Sequence, residues 1–172
     1  MLNYPKINHM PDKKTIEAAK RDAKEGKSAS TQAGEFVHQE IEDIRQGKHG
    51  ARSAKQAIAI GLSEARRAGV KLAPPKKGTV SEKTRKNARR EMEKAAKHQP
   101  VSRARSAASL KALKKEGSEA ASPRALSQQT RSAAAKRSAG ERSASAKQAA
   151  TTKGPKERSD AAKKAAKTRA NR

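Results

Sequence analysis

Residues Glu35–Leu72, EFVHQEIEDIRQGKHGARSAKQAIAIGLSEARRAGVKL, form the one part of this chain with the pattern of a folded unit. Large aliphatic side chains cluster here and recur every three or four residues in two blocks, Glu35–Arg45 and Ser53–Ala68. That period places them on one face of each of two helices. A glycine-containing loop separates the blocks. The stretch therefore predicts a helical hairpin over residues 35–75.

Local signals mark the ends of the second helix. Ser53 and Gln56 have the spacing of a capping box at its start. Gly69 suits the left-handed residue that closes a helix, and Pro74–Pro75 prevent a further turn. A two-helix unit of this size is marginal alone, so we expect the hairpin to form a homodimer or to dock a partner. The apolar side chains expected at that contact are Phe36, Val37, Ile41, Ile44, Ile58 and Leu62.

The segments on either side are more polar. Residues 1–34 predict a flexible leader with a short polar helix, Asp12–Lys24, followed by a linker at Ser28–Gly34. Residues 76–172 predict a basic, repetitive tail that is part helical and part disordered. Its helices are expected near residues 81–97, 102–116 and 123–138, with His98–Pro100 ending the first of them.

The composition argues against an extended hydrophobic core. Hydrophobic residues make up 33% of the chain and are mostly alanine, and the aromatic residues are Tyr4 and Phe36. Low hydrophobicity with a net charge of +25 is typical of chains that are largely disordered alone. The expected fold class is mostly α with substantial disorder: a small helical hairpin followed by Ala/Lys/Arg-rich basic helical segments.

The positive charge is concentrated after Pro75. Residues 1–75 carry 14 basic and 9 acidic side chains, a net charge of +5, whereas residues 76–172 carry 28 and 8, a net charge of +20. A charge of this size attracts polyanions. The tail also repeats itself: ERSASAKQAATTK at Glu141–Lys153 aligns with ERSDAAKKAAKTR at Glu157–Arg169, and RSAAAKR at Arg131–Arg137 is a shorter copy. Each copy supplies a capping serine, helix-favouring alanines and regularly spaced cations.

These features predict binding to the phosphate backbone of a nucleic acid, driven by counterion release. The tail has no aromatic side chain on which unpaired bases would stack, so DNA is preferred over RNA and little base reading is expected. The side chains expected to contact phosphates are Lys48, His49, Arg52, Ser53, Lys55, Arg66, Arg67, Lys76, Lys77, Arg85, Lys86, Arg89, Arg90, Arg131, Lys136, Arg137, Arg142, Lys147, Arg158, Lys163, Lys164, Lys167 and Arg169.

The loop GKHGARS, Gly47–Ser53, is the sharpest local feature of this set. It gathers cations around a helix N-terminus, where free amides favour an anion. The alternative interpretation is an ordinary flexible turn with surface charges. A helix-turn-helix is a further alternative, although the loop is longer than usual and no third helix that would complete a core is evident in the sequence.

Catalysis finds no support in the sequence. There is no cysteine, and the four histidines, His9, His38, His49 and His98, lack metal-ligand spacing. We therefore expect a protein that is not an enzyme and that has no cofactor, metal or small-molecule substrate. The longest apolar run, Ala57–Leu62, is too short to cross a bilayer, and the N-terminus lacks the apolar core of a signal peptide. We expect a cytoplasmic, nucleoid-associated protein without a membrane partner.

The stretch from Ser30 to Gly78 resembles a family of small, basic bacterial proteins carried as a domain of unknown function and often labelled DNA-binding. The strings that carry the resemblance are GEFVHQEI, Gly34–Ile41, and GKHGARSAKQAIAIGLSEARRAG, Gly47–Gly69. The similarity covers roughly residues 12–90, and the tail is similar in composition to histone-like tails. The resemblance implies a DNA-binding role without a settled mechanism.

The function expected from the sequence is sequence-tolerant DNA binding with compaction, as in nucleoid proteins. Two alternatives belong to other classes. One is an RNA-binding or ribosome-associated accessory protein that uses the same tail, and the other is a protein-interaction adaptor that works through the apolar hairpin.

Overall fold

A computed structural model describes residues 11–97, 102–152 and 154–170. These residues form eight α-helices and one 3-10 helix: α1 Lys13–Lys24, α2 Ala29–Arg45, α3 Ala54–Arg67, α4 Glu82–Ala96, α5 Arg103–Leu113, the 3-10 helix Glu119–Ala121, α6 Pro123–Ala135, α7 Ala139–Thr152 and α8 Pro155–Ala170. The mostly-α class, with a hairpin followed by basic helical segments, is confirmed. Residues 1–10 of the predicted leader and the predicted helix stop at His98–Pro100 lie outside the described residues.

The chain divides into two compact units, residues 1–129 and 130–172. The sequence analysis placed the boundary between hairpin and tail at residue 75. In the structure, α4, α5 and the 3-10 helix, which follow that boundary, lie in the first unit. The reason is visible in the contacts: α3 packs against α4, and both α2 and α3 pack against the 3-10 helix.

Three helices, rather than two, build the larger part of the core. α1 packs on α2, and α2 packs on α3. Phe36 is fully buried between Ala19 of α1, Ala33 of α2 and Ala65 of α3. The predicted helix at Asp12–Lys24 is therefore the third helix of the core. This part was not evident in the sequence, because α1 contacts the core mainly through alanine and Ile16, which give only a weak apolar period.

The predicted linker at Ser28–Gly34 is also corrected. α2 begins at Ala29, with Ser28 as its N-cap, and the Thr31 amide donates to the Ser28 side-chain oxygen at 3.3 Å. Ala33, in the middle of the supposed linker, is completely buried. Serine and glycine gave this stretch the composition of a linker, but burial of one methyl group and a capped first turn extend the helix through it.

The predicted ends of α3 are confirmed. The Gln56 amide donates to the Ser53 side-chain oxygen at 3.2 Å. Gly69 has a φ of +94°, and the Val70 amide closes the helix on the Ala65 carbonyl at 3.0 Å. Ser81 caps α4 in the same way as Ser53 caps α3, because its side-chain oxygen accepts from the Thr84 amide at 3.2 Å.

A second core cluster joins the loop end of the hairpin to the residues after α5. Ile44 and Ala57 of the hairpin pack with Ala120 and Ala121 of the 3-10 helix. The Gly50 amide donates to the Leu113 carbonyl at 3.0 Å, and the Ala51 amide donates to the Gly117 carbonyl at 3.1 Å. We call Leu113–Ser122 the docked segment, because its backbone and two buried alanines are seated on the hairpin.

The second unit contains α7 and α8, which begin 16 residues apart, at Ala139 and Pro155. This offset equals the offset between the two aligned repeats, so each of these copies coincides with one helix. All of α8 is exposed, and α7 is exposed at its described positions except for partly buried Ala150.

Candidate nucleic-acid interface

The hairpin loop is arranged differently from the phosphate site expected in it. The Lys48 ammonium is paired with Asp43, and Arg52 is 3.2 Å from the Glu116 carboxylate of the docked segment. The Ser53 hydroxyl is used as the cap of α3. An open cavity of about 500 Å³ remains between the two segments, and its lining carries Glu116 as well as lysines. The loop therefore receives another part of the chain, and the two cations named here already have acidic partners.

His49 lies inside the fold, where it would not meet a phosphate. Only 7% of the residue is exposed, and its Nε2 is 3.6 Å from the buried Glu40 carboxylate. Burial raises the pKa of Glu40 to about 8, with further contributions from the negative charges of Glu64 and Asp43. Burial likewise raises the pKa of Glu64 to about 7. The expected role of His49 as a phosphate ligand does not fit this position.

α3 offers little surface to a nucleic acid. Arg66 is buried, lies 3.8 Å from the Glu91 carboxylate of α4, and has a pKa lowered by burial. Arg67 donates to the Ser63 carbonyl at 3.3 Å. Within α3 only Lys55 and Ala59 are exposed, and the other residues are buried or partly buried. A helix covered on this scale has no free face for a major groove, so its position does not favour a helix-turn-helix.

The apolar side chains expected at a partner contact belong largely to the core of the chain itself. Phe36 and Ile44 are fully buried. Ile41 and Leu62 are partly buried and pack against the two core clusters. Val37 and Ile58 are also partly buried. For Phe36 and Ile44 the expectation was wrong, because α1 and the docked segment cover the apolar faces that a bare hairpin would expose.

The basic positions of α4 and of the connector before it are mostly on the surface. Lys86, Arg89 and Arg90 are exposed, whereas Arg85 is half-buried and lies 3.5 Å from Glu82. Lys76 and Lys77 are exposed in the connector.

The basic side chains expected in residues 130–172 are all exposed. They are Arg131, Lys136, Arg137, Arg142, Lys147, Arg158, Lys163, Lys164, Lys167 and Arg169. Arg142 donates to the Arg137 carbonyl at 2.6 Å, across the start of α7.

The structure adds cations that the sequence analysis did not single out. Lys83, Lys94 and Lys97 lie exposed on or at the end of α4, and Lys156 lies exposed in the first turn of α8. The sequence prediction was based on adjacent basic residues such as Arg89 and Arg90. Basic residues that recur every three or four positions, on one face of a helix, would have indicated these lysines as well.

Other classes of site are not seen in the described part of the chain. No group of three histidine or acidic side chains is placed to hold a metal ion in residues 11–97, 102–152 and 154–170. Within the same ranges, no helix has the length and apolar character required to cross a membrane.

Comparison with known proteins gives a family match for the N-terminal part of the chain. The chain matches no curated protein and no solved structure. The matched region includes the three-helix core formed by α1, α2 and α3 and stops before α4, so the basic helices of the tail lie outside it. Residues 4–77 match the model of a family of unknown function (DUF6496). This match supports the resemblance to a family carried as a domain of unknown function.

Proposed function

We propose that this protein binds DNA through its phosphate backbone, without strong sequence preference, and compacts it as a nucleoid-associated, histone-like protein. The observation that carries the proposal is α8. Every residue of this helix is exposed, and six of its sixteen residues are cations: Lys156, Arg158, Lys163, Lys164, Lys167 and Arg169.

The physical reason is that α8 buries no face in its own unit. A helix of this length gains most of its stability in proteins from packing an apolar face, and α8 shows no such face. Its alanines favour the helix, while its lysines and arginines repel one another. A polyanion would relieve this repulsion and release its own counterions.

Duplex DNA fits this surface better than a single strand does. Single-strand binding relies on aromatic side chains for base stacking, and residues 76–172 contain none. Lysine and arginine on an exposed helix neutralise phosphates, whereas discrimination among bases requires side chains placed against base edges. RNA binding through the same cations is the alternative, and competition at matched salt separates the two.

The test is a salt titration of binding to a random-sequence DNA duplex. The full chain is compared with a variant in which the six cations of α8 are replaced by glutamine. We expect the slope of log affinity against log salt to become shallower by about 0.9 for each phosphate that is no longer neutralised. A variant with the lysines of α8 replaced by arginine keeps the charge and is expected to bind like the wild type.

Three results would count against the proposal. The first is an unchanged salt slope in the glutamine variant. The second is a strong preference among unrelated duplex sequences. The third is a clear preference for RNA in the competition at matched salt: RNA displaces bound duplex DNA, but the same concentration of duplex DNA does not displace bound RNA.

A further inference from the structure

We propose that α4 carries a second, preformed surface for the DNA backbone, so that one molecule binds two duplexes. The surface consists of Lys83, Lys86, Arg90, Lys94 and Lys97, and we call it the α4 stripe. It belongs to the first unit, whereas α8 belongs to the second. The inference rests on the proposed function and assigns it a second binding surface.

The spacing of the α4 stripe places its cations in one row. The steps are three, four, four and three residues, which keep all five side chains on one side of a helix. From Lys83 to Lys97 the helix rises by about 21 Å at 1.5 Å per residue. Lys97 is the C-cap residue, so the row ends where α4 ends.

The opposite side of α4 is held against the first unit. Its less exposed residues are Arg85, Ala88, Glu91, Met92 and Ala95, and at about 100° per residue their centre lies nearly opposite the α4 stripe. Ala88 is buried. The Glu91 carboxylate accepts a hydrogen bond from the Ser63 hydroxyl and lies 3.8 Å from the Arg66 guanidinium. These contacts orient the stripe towards solvent before any ligand binds.

None of the five side chains of the α4 stripe forms an ion pair among the described residues, although Glu82 and Glu93 lie four residues before Lys86 and Lys97 and offset part of the positive charge. All five side chains are exposed, and the ion pairs found there join other cations to acidic groups, such as Lys48 to Asp43, Arg52 to Glu116 and Arg66 to Glu91. Each neighbouring pair in the stripe has like charges three or four residues apart, an arrangement that destabilises a helix. A polyanion placed along the row removes that repulsion.

A duplex backbone is the partner that this geometry fits. Duplex DNA carries one negative charge for about every 1.7 Å of its axis, so a row of about 21 Å spans several phosphates. In the described part of the first unit, the aromatic residue is Phe36, which is fully buried. The unit therefore presents no stacking platform for an unpaired base.

Two surfaces on two units make the protein bivalent. When one surface is bound, the connecting chain holds the other at a high effective concentration, so a second DNA segment is captured without any additional interface. Capture of the second segment links two duplexes through one protein molecule. Compaction would then result from cross-linking of DNA segments rather than from neutralisation of a single duplex.

The experiment uses the full chain and two variants matched in charge. One is K83Q/K86Q/R90Q/K94Q/K97Q, and the other is K156Q/K163Q/K164Q/K167Q/R169Q. Bridging is measured as capture of a labelled duplex by a complex formed on an immobilised duplex, and single-duplex affinity is measured as a function of salt. Circular dichroism and thermal unfolding verify that both variants fold, as expected for exposed side chains.

Both variants should still bind one duplex, with salt slopes shallower by about 0.9 for each phosphate that is no longer neutralised, and both should show bridging reduced at least tenfold. If the α4 variant keeps the wild-type salt slope and bridging, the α4 stripe is not a DNA surface, although the proposed function stands. If either variant has a shallower slope but keeps bridging, the bivalent arrangement is wrong. Duplex RNA outcompeting DNA at the stripe would overturn the assigned partner. Failure of the wild type to bind any duplex would overturn the proposed function as well.

Discussion

At the residue scale, Glu40 is a carboxyl group in the middle of a helix interface. Its Oε2 is 3.6 Å from His49 Nε2, while its Oε1 has no hydrogen-bond partner among the described residues. Burial and the neighbouring Glu64 and Asp43 carboxylates raise its pKa to about 8. Near neutral pH the side chain is therefore largely protonated, which explains how an acidic residue is accommodated beside Phe36 and Ile44 on the buried face of α2.

This group makes the stability of the first unit depend on pH. The folded-state pKa of Glu40 lies above its ordinary value of 4.5, so its favourable contribution is complete below pH 4.5 and is lost as the pH rises through about 8. Glu64, with a pKa raised to about 7, acts in the same direction. We expect the wild-type free energy of unfolding to fall by several kcal/mol between pH 5 and 9, because both carboxyl groups lose their protons in this range and one pKa unit is about 1.4 kcal/mol.

Glu40→Gln should be more stable than the wild type at pH 9 and should show a flatter pH profile, because an amide of the same shape does not ionise. Urea unfolding from pH 5 to 9 measures both. Glu93→Gln, on the exposed side of α4, is the matched control and should follow the wild-type profile. Parallel profiles for wild type and Glu40→Gln would show that Glu40 is not the titrating group.

At the element scale, α2 and α3 approach closely enough to require glycine at their contact. A Cβ at Gly61 would lie 2.7 Å from the Val37 Cα and 3.0 Å from the Phe36 carbonyl oxygen. Both are backbone atoms, so relief requires the helices to separate. The apolar interface is built from alanine and glycine around Phe36, and its stability depends on this short distance.

Gly61→Ala should therefore lower the free energy of unfolding by about 1–3 kcal/mol, as overpacking does, even though alanine has the higher helix propensity. Gly34→Ala is the control within α2, because a Cβ there meets nothing within 4 Å. It should raise stability by up to about 1 kcal/mol through propensity alone. Thermal unfolding of both variants measures the difference, and equal stabilisation by the two would refute the close contact.

The docked segment provides a second test at this scale. A Cβ at Gly50 would lie 2.0 Å from the Glu116 carbonyl oxygen, whereas a Cβ at Gly117 would meet nothing within 4 Å. Gly50→Ala should therefore release Leu113–Ser122, and Gly117→Ala should not. Hydrogen exchange at the Ala51 amide, which donates to the Gly117 carbonyl, measures the release. We expect faster exchange in the first variant only, and unchanged protection in Gly50→Ala would mean that the segment tolerates the added methyl group.

At the scale of the whole molecule, the two units differ in how they use charge. In the first unit, two cations of the hairpin loop are paired with acidic groups, Lys48 with Asp43 and Arg52 with Glu116, whereas the α4 stripe is exposed and has no ion pair among the described residues. In the second unit, the cations of α8 have no ion pair among the described residues, and none is buried. The tests of salt slope and bridging belong to this scale, because the salt slope counts the phosphates neutralised by the whole chain and bridging requires a DNA surface on each of the two units, if the proposed function holds.

How much could be predicted from the sequence depended on how local each feature is. The capping of α3 by Ser53 and its closure at Gly69 were predictable, because both rest on residues three or four positions apart. The burial of His49 and the docking of Ala120 and Ala121 were not. Alanine occurs at both exposed and buried helix positions. The positions of the alanines in the sequence therefore do not show which face of a helix is covered by another segment.

The sequence by itself determined the helical class, the helix boundaries that carry caps, and the net charge of +25 on which the proposed polyanion partner rests, because propensity, spacing and total charge do not depend on tertiary contacts. Only the tertiary structure decided which apolar and charged side chains remain at the surface. It buried Phe36, Ile44, His49 and Arg66, and it turned one side of α4 towards solvent. These outcomes depend on contacts between residues distant in sequence, such as Arg45 with the Ala121 carbonyl across 76 positions, which no local pattern encodes.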